Sequence, residues 1–225
     1  MDGILLVDKP AGISSFGVVA RVRGIIKAET GQKIKVGHTG TLDPMATGLL
    51  VLVLGQYTKQ AGEFSKLDKT YEAELTLGST STTGDREGEI VQKSTHQPAL
   101  DEIQAVLNKF VGEISQVPPA YSAIKVGGQR AYKLARAGKE VVIEPRSVKI
   151  YSITDVKYEY PILRFTTEVS SGTYIRTLAE DIGQQLGTGA YLSDLRRTSV
   201  GKFDIKDGVK IDSLSRSNIE NSLQK

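Results

Sequence analysis

The order of helix and strand patterns along the 225 residues predicts an α+β fold with a central sheet that is mixed and mostly antiparallel. Strand-like and helical segments follow one another irregularly, unlike the repeated β-α-β order of a parallel sheet. The sequence lacks internal repeats and low-complexity tracts, and its length suits one large domain or two small ones. We therefore expect a central sheet flanked by helices and loops.

The N-terminal region predicts a strand followed by a helix. Gly3 to Val7 is a short apolar run that ends before Pro10, as a buried strand followed by a turn does. Ser14 suits the N-cap position of the helix that follows. The expected buried face of this helix consists of apolar residues at near-helical spacing: Phe16, Val19, Val22 and Ile26.

A glycine- and threonine-rich segment then separates this helix from two predicted strands. Residues 37–48, GHTGTLDPMATG, are predicted to form a loop. The loop leads directly into LLVLVLG at 49–55, a predicted core strand. Residues 69–77 alternate as a half-buried strand does, and one face would carry four apolar side chains: Tyr71, Ala73, Leu75 and Leu77.

The second half of the chain predicts two helices and three strands. One helix is expected to open at Pro98, and the other to follow Gly172 and stop at Gly187. Their apolar faces are Leu100, Ile103, Val106, Leu107 and Phe110 in the first helix, and Ile175, Leu178, Ala179, Ile182 and Leu186 in the second. Strands are expected at 148–158, 162–170 and 191–200. The polar tail from Asp212 is expected to be helical or frayed.

Composition excludes several kinds of site. The absence of cysteine rules out disulfides, thiolate zinc sites and cysteine nucleophiles, and two histidines make a histidine metal site improbable, so we expect no metal. The longest apolar run has six residues, against the ~20 that span a bilayer. The N-terminus lacks the features of a signal peptide. We therefore expect a cytoplasmic enzyme or binding protein with no membrane association.

The formal net charge of +3 is unevenly distributed. Residues 121–149 contain seven basic and two acidic side chains, a local net charge of +5. This stretch is either an ordinary solvated face or a surface that contacts phosphates, and charge alone does not decide between the two. Its tyrosines and the Gly127-Gly128 pair fit an RNA-binding loop without requiring one.

Unusual residues are densest at GHTGTLDP, residues 37–44. The glycines allow close approach of a ligand, and Pro44 biases Asp43 towards an extended conformation. A carboxylate held at the mouth of a core strand could act on a substrate, or Asp43 could merely cap a turn. No Gly-Lys-Ser/Thr follows, which excludes a Walker phosphate loop, and the sequence identifies no second positioned carboxylate for a retaining glycosidase.

Five ordered blocks together resemble the TruB family of tRNA pseudouridine synthases. They are KPAGISS at 9–15, GHTGTLDPMATGLL at 37–50, KTY at 69–71, GTYIRTL at 172–178 and LRR at 195–197. The resemblance runs from about residue 3 to residue 200. It implies the pseudouridine synthase fold and, without cofactor or metal, the conversion of one uridine in the T-loop of tRNA (position 55) to pseudouridine.

The resemblance also implies three catalytic residues. Asp43 would be the nucleophile when the flipped uridine is cleaved at its glycosidic bond and rejoined through C5. Arg176 would pair with the catalytic carboxylate, although a surface pair with Glu180 would explain it equally without the family. Tyr71 would stack on the flipped uracil, although a core aromatic is the ordinary alternative.

Further residues are implied to contact RNA or line the site: His38, Lys9, Lys59, Tyr174, Leu195, Arg196, Arg197, Lys125 and Arg130. His38 would occupy the space that the uridine vacates, and Leu195 would line the pocket. Lys9 could be structural instead, and for Arg196 and Arg197 phosphate contacts and structural contacts stay open.

The implied organisation is one catalytic domain over 1–225 with a thumb-like RNA-binding insertion at about 117–149. Many family members carry a C-terminal PUA domain, and we expect none in this chain. The expected partner is the T-arm of tRNA, bound by a monomer without an obligate protein partner. The alternatives are a synthase of the same superfamily that modifies another RNA, as the guide-dependent enzymes do, and an RNA-binding protein that helps tRNA to fold.

Overall fold

A computed structural model describes residues 1–122 and 124–225, without the side chain of Arg216. The chain, predicted as one catalytic domain, divides into two compact units. Unit 1 comprises Met1–Glu72 and Leu195–Lys225, and unit 2 comprises Ala73–Asp194. None of the helices within the described residues is both long enough and apolar enough to cross a membrane.

The strands, in chain order, are β1 (Gly3–Lys9), β2 (Val36–His38), β3 (Thr47–Leu54), β4 (Lys69–Leu77), β5 (Ser79–Ser81), β6 (Ile90–Gln92), β7 (Gly112–Gln116), β8 (Lys125–Val126), β9 (Gln129–Arg130), β10 (Arg146–Glu159), β11 (Ile162–Val169), β12 (Ala190–Val200), β13 (Phe203–Asp204) and β14 (Val209–Lys210). The helices are α1 (Ser15–Thr30), α2 (Ala61–Ser65), α3 (Leu100–Phe110), α4 (Ala131–Arg136), α5 (Ile175–Gln185) and α6 (Arg216–Asn221). Short 3-10 helices lie at Gly55–Gln60, Ile205–Asp207 and Ile211–Ser213.

Unit 1 is built around strands β1 and β3, which are almost fully buried. They pair antiparallel, from Gly3 opposite Leu54 to Lys9 opposite Gly48. Strand β14 extends this sheet parallel to β1, and β12 pairs parallel with β3 at Arg196 and Arg197. Gly48 has a φ of 101°, and any side chain there would collide with the main chain of Arg197. Glycine is therefore required where β3 and β12 meet.

Unit 2 is built around β10, which pairs antiparallel with β11 on one side and with β7 on the other. Helices α3 and α5 each bury one apolar face, as their helical periodicity predicts. Leu100 was predicted on that face of α3, but this first residue of the helix is 48% exposed. Helix α5 packs closely on the start of β12, since any side chain at Gly183 would collide with the main chain of Ala190. Each unit thus combines a sheet with helices, and the predicted α+β class with a mixed, mostly antiparallel sheet is confirmed.

Three further local predictions differ from the structure. Phe16 was placed on the buried face of α1, but it is 64% exposed. The buried residues of α1 are Ser15, Val18, Val19, Val22 and Ile26, and Phe16 lies outside the stripe that they form around the helix. The helix expected to open at Pro98 starts at Leu100, where the Glu102 carboxylate accepts a hydrogen bond from the Ala99 amide at 2.6 Å.

The third difference concerns the segment at 37–48, which is not loop throughout. Residues Gly37 and His38 belong to β2, which pairs antiparallel with β3. Main-chain hydrogen bonds to a strong core strand thus override the turn-forming composition of this segment. The C-terminal tail is helical as predicted rather than frayed, since Ile219 is buried and Gln224 exchanges two main-chain hydrogen bonds with Ile4.

Candidate functional site

Asp43 lies in the loop between β2 and β3, the segment that the sequence singled out. Its side chain is half-buried, and its neighbours Leu42 and Met45 are 3% and 2% exposed. These two apolar side chains anchor the loop in the core of unit 1 on either side of the carboxylate. The main chain also turns tightly here, with the Ala46 amide donating to the Asp43 carbonyl at 3.1 Å.

Ser15, the first residue of α1, is hydrogen-bonded to the main chain of this loop. The Ser15 hydroxyl donates to the Leu42 carbonyl at 2.9 Å and accepts from the Leu42 amide at 2.8 Å. Both groups are buried, so each bond removes a main-chain group that would otherwise be unpaired. The Gly12 amide donates to the Pro44 carbonyl at 2.8 Å. The residue before Asp43 and the residue after it are therefore both fixed.

Lys9 is completely buried at the end of β1. Its ammonium group donates to the carbonyl oxygens of Pro10 and Ile13, both at 2.8 Å, and to that of Pro44 at 3.3 Å. A buried ammonium requires such acceptors, since an unpaired charge inside a protein is very unfavourable. Of the two roles that the sequence left open, these contacts support the structural one.

The arginine pair at the end of β12 separates into two different roles. Arg197 is 2% exposed and donates to the carbonyls of Leu49 (2.8 Å) and Gly40 (3.1 Å). Of the two roles that the sequence left open for Arg197, this burial and these contacts support the structural one. Arg196 is partly exposed and makes a bidentate pair with Asp8, with N–O distances of 3.2 and 3.0 Å.

Strand β4 carries Tyr71 and Lys69 on its buried face, where they are 8% and 7% exposed. The Lys69 ammonium donates to the Ser65 carbonyl at 2.7 Å and to the Leu67 carbonyl. Burial, and secondarily the positive charge of Arg197, lowers the pKa of Lys69 from its usual 10.5 to about 8. Lys69 belongs to the KTY block, but the sequence analysis assigned it no role, because alternation in β4 predicts only that its position faces inward.

The other predicted residues of unit 1 are distributed as follows. His38 is half-buried at the end of β2, opposite Leu52. Leu195 is 8% exposed, and its carbonyl accepts from the Thr47 hydroxyl at 3.4 Å. Lys59 is exposed on the 3-10 helix that follows β3. Of these side chains, Lys59 has the accessibility that a phosphate contact needs.

In unit 2, Arg176 is buried in the first turn of α5 rather than on the surface. Its guanidinium donates to the Thr83 carbonyl at 3.1 Å and to the Tyr121 carbonyl at 2.8 Å. Its Nε lies 3.7 Å from a carboxylate oxygen of Asp85. The predicted pairing of Arg176 with Asp43, a residue of unit 1, stays a prediction.

Asp85 is the main residue that the sequence analysis missed. It is 4% exposed, and its second oxygen accepts from the Thr83 hydroxyl at 2.6 Å and the Glu87 amide at 3.0 Å. These contacts fix the carboxylate that faces Arg176. The turn sequence TTGD at 82–85 could have indicated this residue. In such turns an Asp side chain often accepts a hydrogen bond from a main-chain amide nearby in the sequence.

Two further acids, Glu180 and Asp181, lie on α5, the helix that carries this arginine. Burial raises the pKa of Glu180, and the nearby carboxylate of Asp181 adds to the effect, whereas Arg176 opposes it. Burial likewise raises the pKa of Asp181. Glu180 lies against Gly84 in the turn that carries Asp85. Arg176 is thus a buried cation with two acids near it, the buried Asp85 and the partly buried Glu180.

Tyr174, the residue that precedes α5, is held by Gln116 at the end of β7. The amide side chain of Gln116 accepts from the Tyr174 amide at 2.8 Å and donates to the Tyr174 carbonyl at 3.1 Å. Gln116 is 2% exposed. No pattern in the sequence could have indicated this contact, because a single glutamine in a strand carries no signal.

Lys125 and Arg130 are exposed and face each other directly in the β8–β9 hairpin. Gly127 and Gly128 form its turn, and their positive φ angles of 56° and 82° match the turn type that suits two-residue hairpins. Like charges opposite each other are unfavourable, so an anionic partner would stabilise this hairpin. The hairpin lies within the stretch 117–149, in which Ala123 lies outside the described residues.

In the described part of the chain, no group of three or more His, Asp or Glu side chains could hold a metal ion.

The structure brings the polar residues discussed above together in two arrangements, one in each unit. One is the Asp43 loop of unit 1, whose main chain accepts hydrogen bonds from the side chains of Lys9, Ser15 and Arg197. The other is the buried Arg176 of unit 2 with Asp85.

Two family models match adjoining parts of the chain. The first, described as TruB family pseudouridylate synthase (N terminal domain), matches residues 25–175. The second, described as tRNA pseudouridylate synthase B C-terminal domain, matches residues 176–225.

Curated relatives agree with these models. The tRNA pseudouridine synthase B of Pseudomonas fluorescens (strain Pf0-1) is 47% identical over 220 residues, which cover 98% of this chain and 70% of that protein. The enzyme of the same name from Cupriavidus metallidurans is 47% identical and covers 94% of this chain. This chain spans 67% of the length of that second relative.

A solved Cbf5-Nop10-Gar1 complex contains a chain with 31% identity and a TM-score of 0.73, which covers 94% of this chain. An H/ACA RNP bound to a substrate RNA containing 2'-deoxyuridine matches with 29% identity and a TM-score of 0.69. This chain spans about half the length of these two solved chains, 53% and 52% respectively.

Ser15→Ala is expected to destabilise the protein by about 1–3 kcal/mol, because it leaves the buried amide and carbonyl of Leu42 unpaired. Urea denaturation would measure this loss, and hydrogen exchange should show faster exchange of the Leu42 amide. Ser14→Ala is the matched control: it removes the exposed N-cap, at about 0.5–2 kcal/mol, and should leave the Leu42 amide protected. Equal protection of Leu42 in both variants would contradict this account of the loop.

Lys69→Met should change how stability depends on pH. Between about pH 8 and 10.5 the unfolded chain still holds the Lys69 proton that the folded chain has released, so its contribution to the free energy of unfolding increases with pH. The wild type should therefore gain stability relative to the variant across this window. Urea titrations at several pH values would measure the difference. The exposed Lys66→Met is the control, and parallel wild-type and Lys69→Met profiles would refute the assignment.

Proposed function

This chain belongs to the TruB family of pseudouridylate synthases, and on that premise we propose that it acts on one uridine in the T-loop of tRNA with Asp43 as nucleophile. Family and relatives give the class of reaction, the isomerisation of uridine to pseudouridine in tRNA. The position of the uridine and the roles of individual residues are the proposal.

The fixed loop around Asp43 is the observation that carries this proposal. The main chain of Leu42 is hydrogen-bonded to the Ser15 hydroxyl, and the Pro44 carbonyl accepts hydrogen bonds from the Gly12 amide and the Lys9 ammonium group. The main chain on both sides of the Asp43 carboxylate is therefore fixed. A nucleophile held in one geometry before the substrate arrives loses little entropy in the reaction. A carboxylate that merely caps a turn would need none of these supports.

The reaction is an isomerisation in which atoms and electrons balance within the nucleotide. The bond between N1 of uracil and C1′ of ribose breaks, the base rotates, and a bond from C5 to C1′ forms. C5 loses a proton and N1 gains one, so neither an oxidant nor a reductant is required. Asp43 would attack C1′ or C6, or would instead remove a proton from the sugar, and Tyr71 would stack on the extruded base.

We assign Arg176 to the same reaction. A buried guanidinium with two carbonyls and Asp85 around it has a defined orientation. Such a group stabilises developing negative charge more strongly than an exposed one, because the surrounding dielectric constant is low. The sharing of this cation with Asp85 keeps the local charge balanced before RNA binds.

RNA binding would rest on exposed basic residues. Lys125 and Arg130 in the β8–β9 hairpin and Lys59 in unit 1 are exposed and positively charged, as phosphate contacts require. His38 would stack in the space that the uridine leaves. Binding by a monomer through the T-arm alone is part of the proposal.

The alternative, action on another RNA together with partner proteins, is suggested by the Cbf5-Nop10-Gar1 complex among the similar structures. That chain shares 31% identity with this one, against 47% for the tRNA pseudouridine synthase B relatives. The higher similarity favours tRNA as the substrate. Turnover of an isolated T-arm stem-loop by the purified chain would support tRNA, and turnover only with added proteins or guide RNA would support the alternative.

Asp43→Asn is expected to abolish pseudouridine formation, because an amide is a far weaker nucleophile than a carboxylate, while RNA affinity should change by no more than a few fold. Tritium release from T-arm RNA labelled at C5 of uridine measures turnover, and filter binding measures affinity. The exposed Asp207→Asn of the same unit is the matched control. Normal turnover in Asp43→Asn would reject the mechanism.

Arg176→Lys is expected to lower the single-turnover rate by roughly tenfold or more with little change in RNA affinity. A lysine keeps the charge but cannot contact Thr83, Tyr121 and Asp85 together through a planar fork. Arg164→Lys, an exposed arginine paired with Glu74, is the control. A rate equal to the wild type would show that the guanidinium geometry has no part in the reaction.

A further inference from the structure

Gln116 occupies an unusual position for a side-chain amide. It ends β7, is 2% exposed, and bonds both main-chain groups of Tyr174, a residue 58 positions further along the chain. The amide therefore pairs with Tyr174 much as a neighbouring strand would. Tyr174 directly precedes α5, and its carbonyl also accepts from the Leu178 amide in the first turn of that helix.

Two more contacts join the same pair of segments. The Thr177 hydroxyl donates to the Val117 carbonyl at 3.3 Å. The Arg176 guanidinium donates to the Tyr121 carbonyl at 2.8 Å. Hydrogen bonds at Gln116, Val117 and Tyr121 thus connect residues 116–121 to residues 174–177, the segment that contains Arg176. The basic stretch 117–149 begins within the first of these segments.

The two hydrogen bonds require a side chain that both donates and accepts at its end, as the Gln116 amide does. Glutamate could accept from the Tyr174 amide, but it could not donate to the Tyr174 carbonyl when ionised. Methionine has a similar length and shape but replaces neither hydrogen bond. Because Gln116 is buried, water cannot substitute for the lost partners without opening the structure.

We propose that Gln116 is a positioning residue that couples the RNA-binding stretch 117–149 to Arg176. Gln116 fixes the main chain of Tyr174, and Tyr174 fixes the start of the helix from which the guanidinium extends. The carbonyl of Tyr121 then sets the orientation of that guanidinium from within the RNA-binding stretch itself. RNA that displaces this stretch would therefore change the hydrogen bonding of Arg176, whereas Gln116 keeps the helix in place.

This inference rests on the proposed function, and its kinetic test is a double-mutant cycle. Gln116→Met should lower the single-turnover rate by about tenfold and leave RNA affinity within about threefold, as expected for a residue that acts on the reaction rather than on binding. In an Arg176→Lys background the same change should cost less than about twofold, because the group it positions is already impaired. Gln104→Met, an exposed glutamine on α3, is the control.

Equal rate losses in the two backgrounds would show that Gln116 acts independently of Arg176 and would overturn the proposal.

Hydrogen exchange tests the contact without relying on turnover. The Tyr174 amide should exchange at least about tenfold faster in Gln116→Met, and melting temperatures would show whether the variant remains folded. Unchanged exchange would overturn the proposal. The wild-type assay separates the two failures: no turnover of tRNA rejects the proposed function, whereas normal wild-type turnover with an unchanged Gln116→Met rate rejects this inference alone.

Discussion

The burial of three basic side chains against main-chain carbonyls is the constraint on which both arrangements of polar residues depend. Lys9 and Arg197 hold the Asp43 loop in unit 1, and Arg176 is held in unit 2. An interior charge is tolerated only where acceptors replace its water, so each cation fixes the carbonyls around it as firmly as they fix the cation. Irregular main chain can therefore be rigid without regular secondary structure.

That rigidity explains how a loop rich in glycine and threonine can hold the Asp43 carboxylate in a defined position. Glycines at 37, 40 and 48 allow the chain to turn and approach β12 closely, but they add flexibility that would spread the Asp43 carboxylate over many positions. The contacts from Lys9, Ser15 and Arg197 remove that freedom. Composition makes the turn possible, and the cross-chain hydrogen bonds select one conformation.

The sequence predicted features that depend on local periodicity and missed those that depend on distant partners. Alternation in β4 and the apolar stripe of α5 follow from the sequence because core burial imposes a period. Phe16 was misplaced because it also fits a helical period, and only packing shows which stripe faces the core. Ser15, Gln116 and Arg176 have hydrogen-bond partners 27, 58 and 93 residues away along the chain. No periodic pattern in a single sequence indicates such distant pairs.

Burial also divides the basic residues into two groups that residue type cannot distinguish. Lys9 and Arg197 satisfy their donors inside the protein, whereas Lys59, Lys125 and Arg130 are exposed to solvent. Only exposed cations can release counterions when a polyanion binds, so only they contribute to the salt dependence of RNA affinity. The buried cations instead fix the main chain of the two arrangements of polar residues. Under the proposed function, RNA affinity and turnover would therefore rest on different members of one residue class, which would separate how tightly RNA is bound from how fast it reacts.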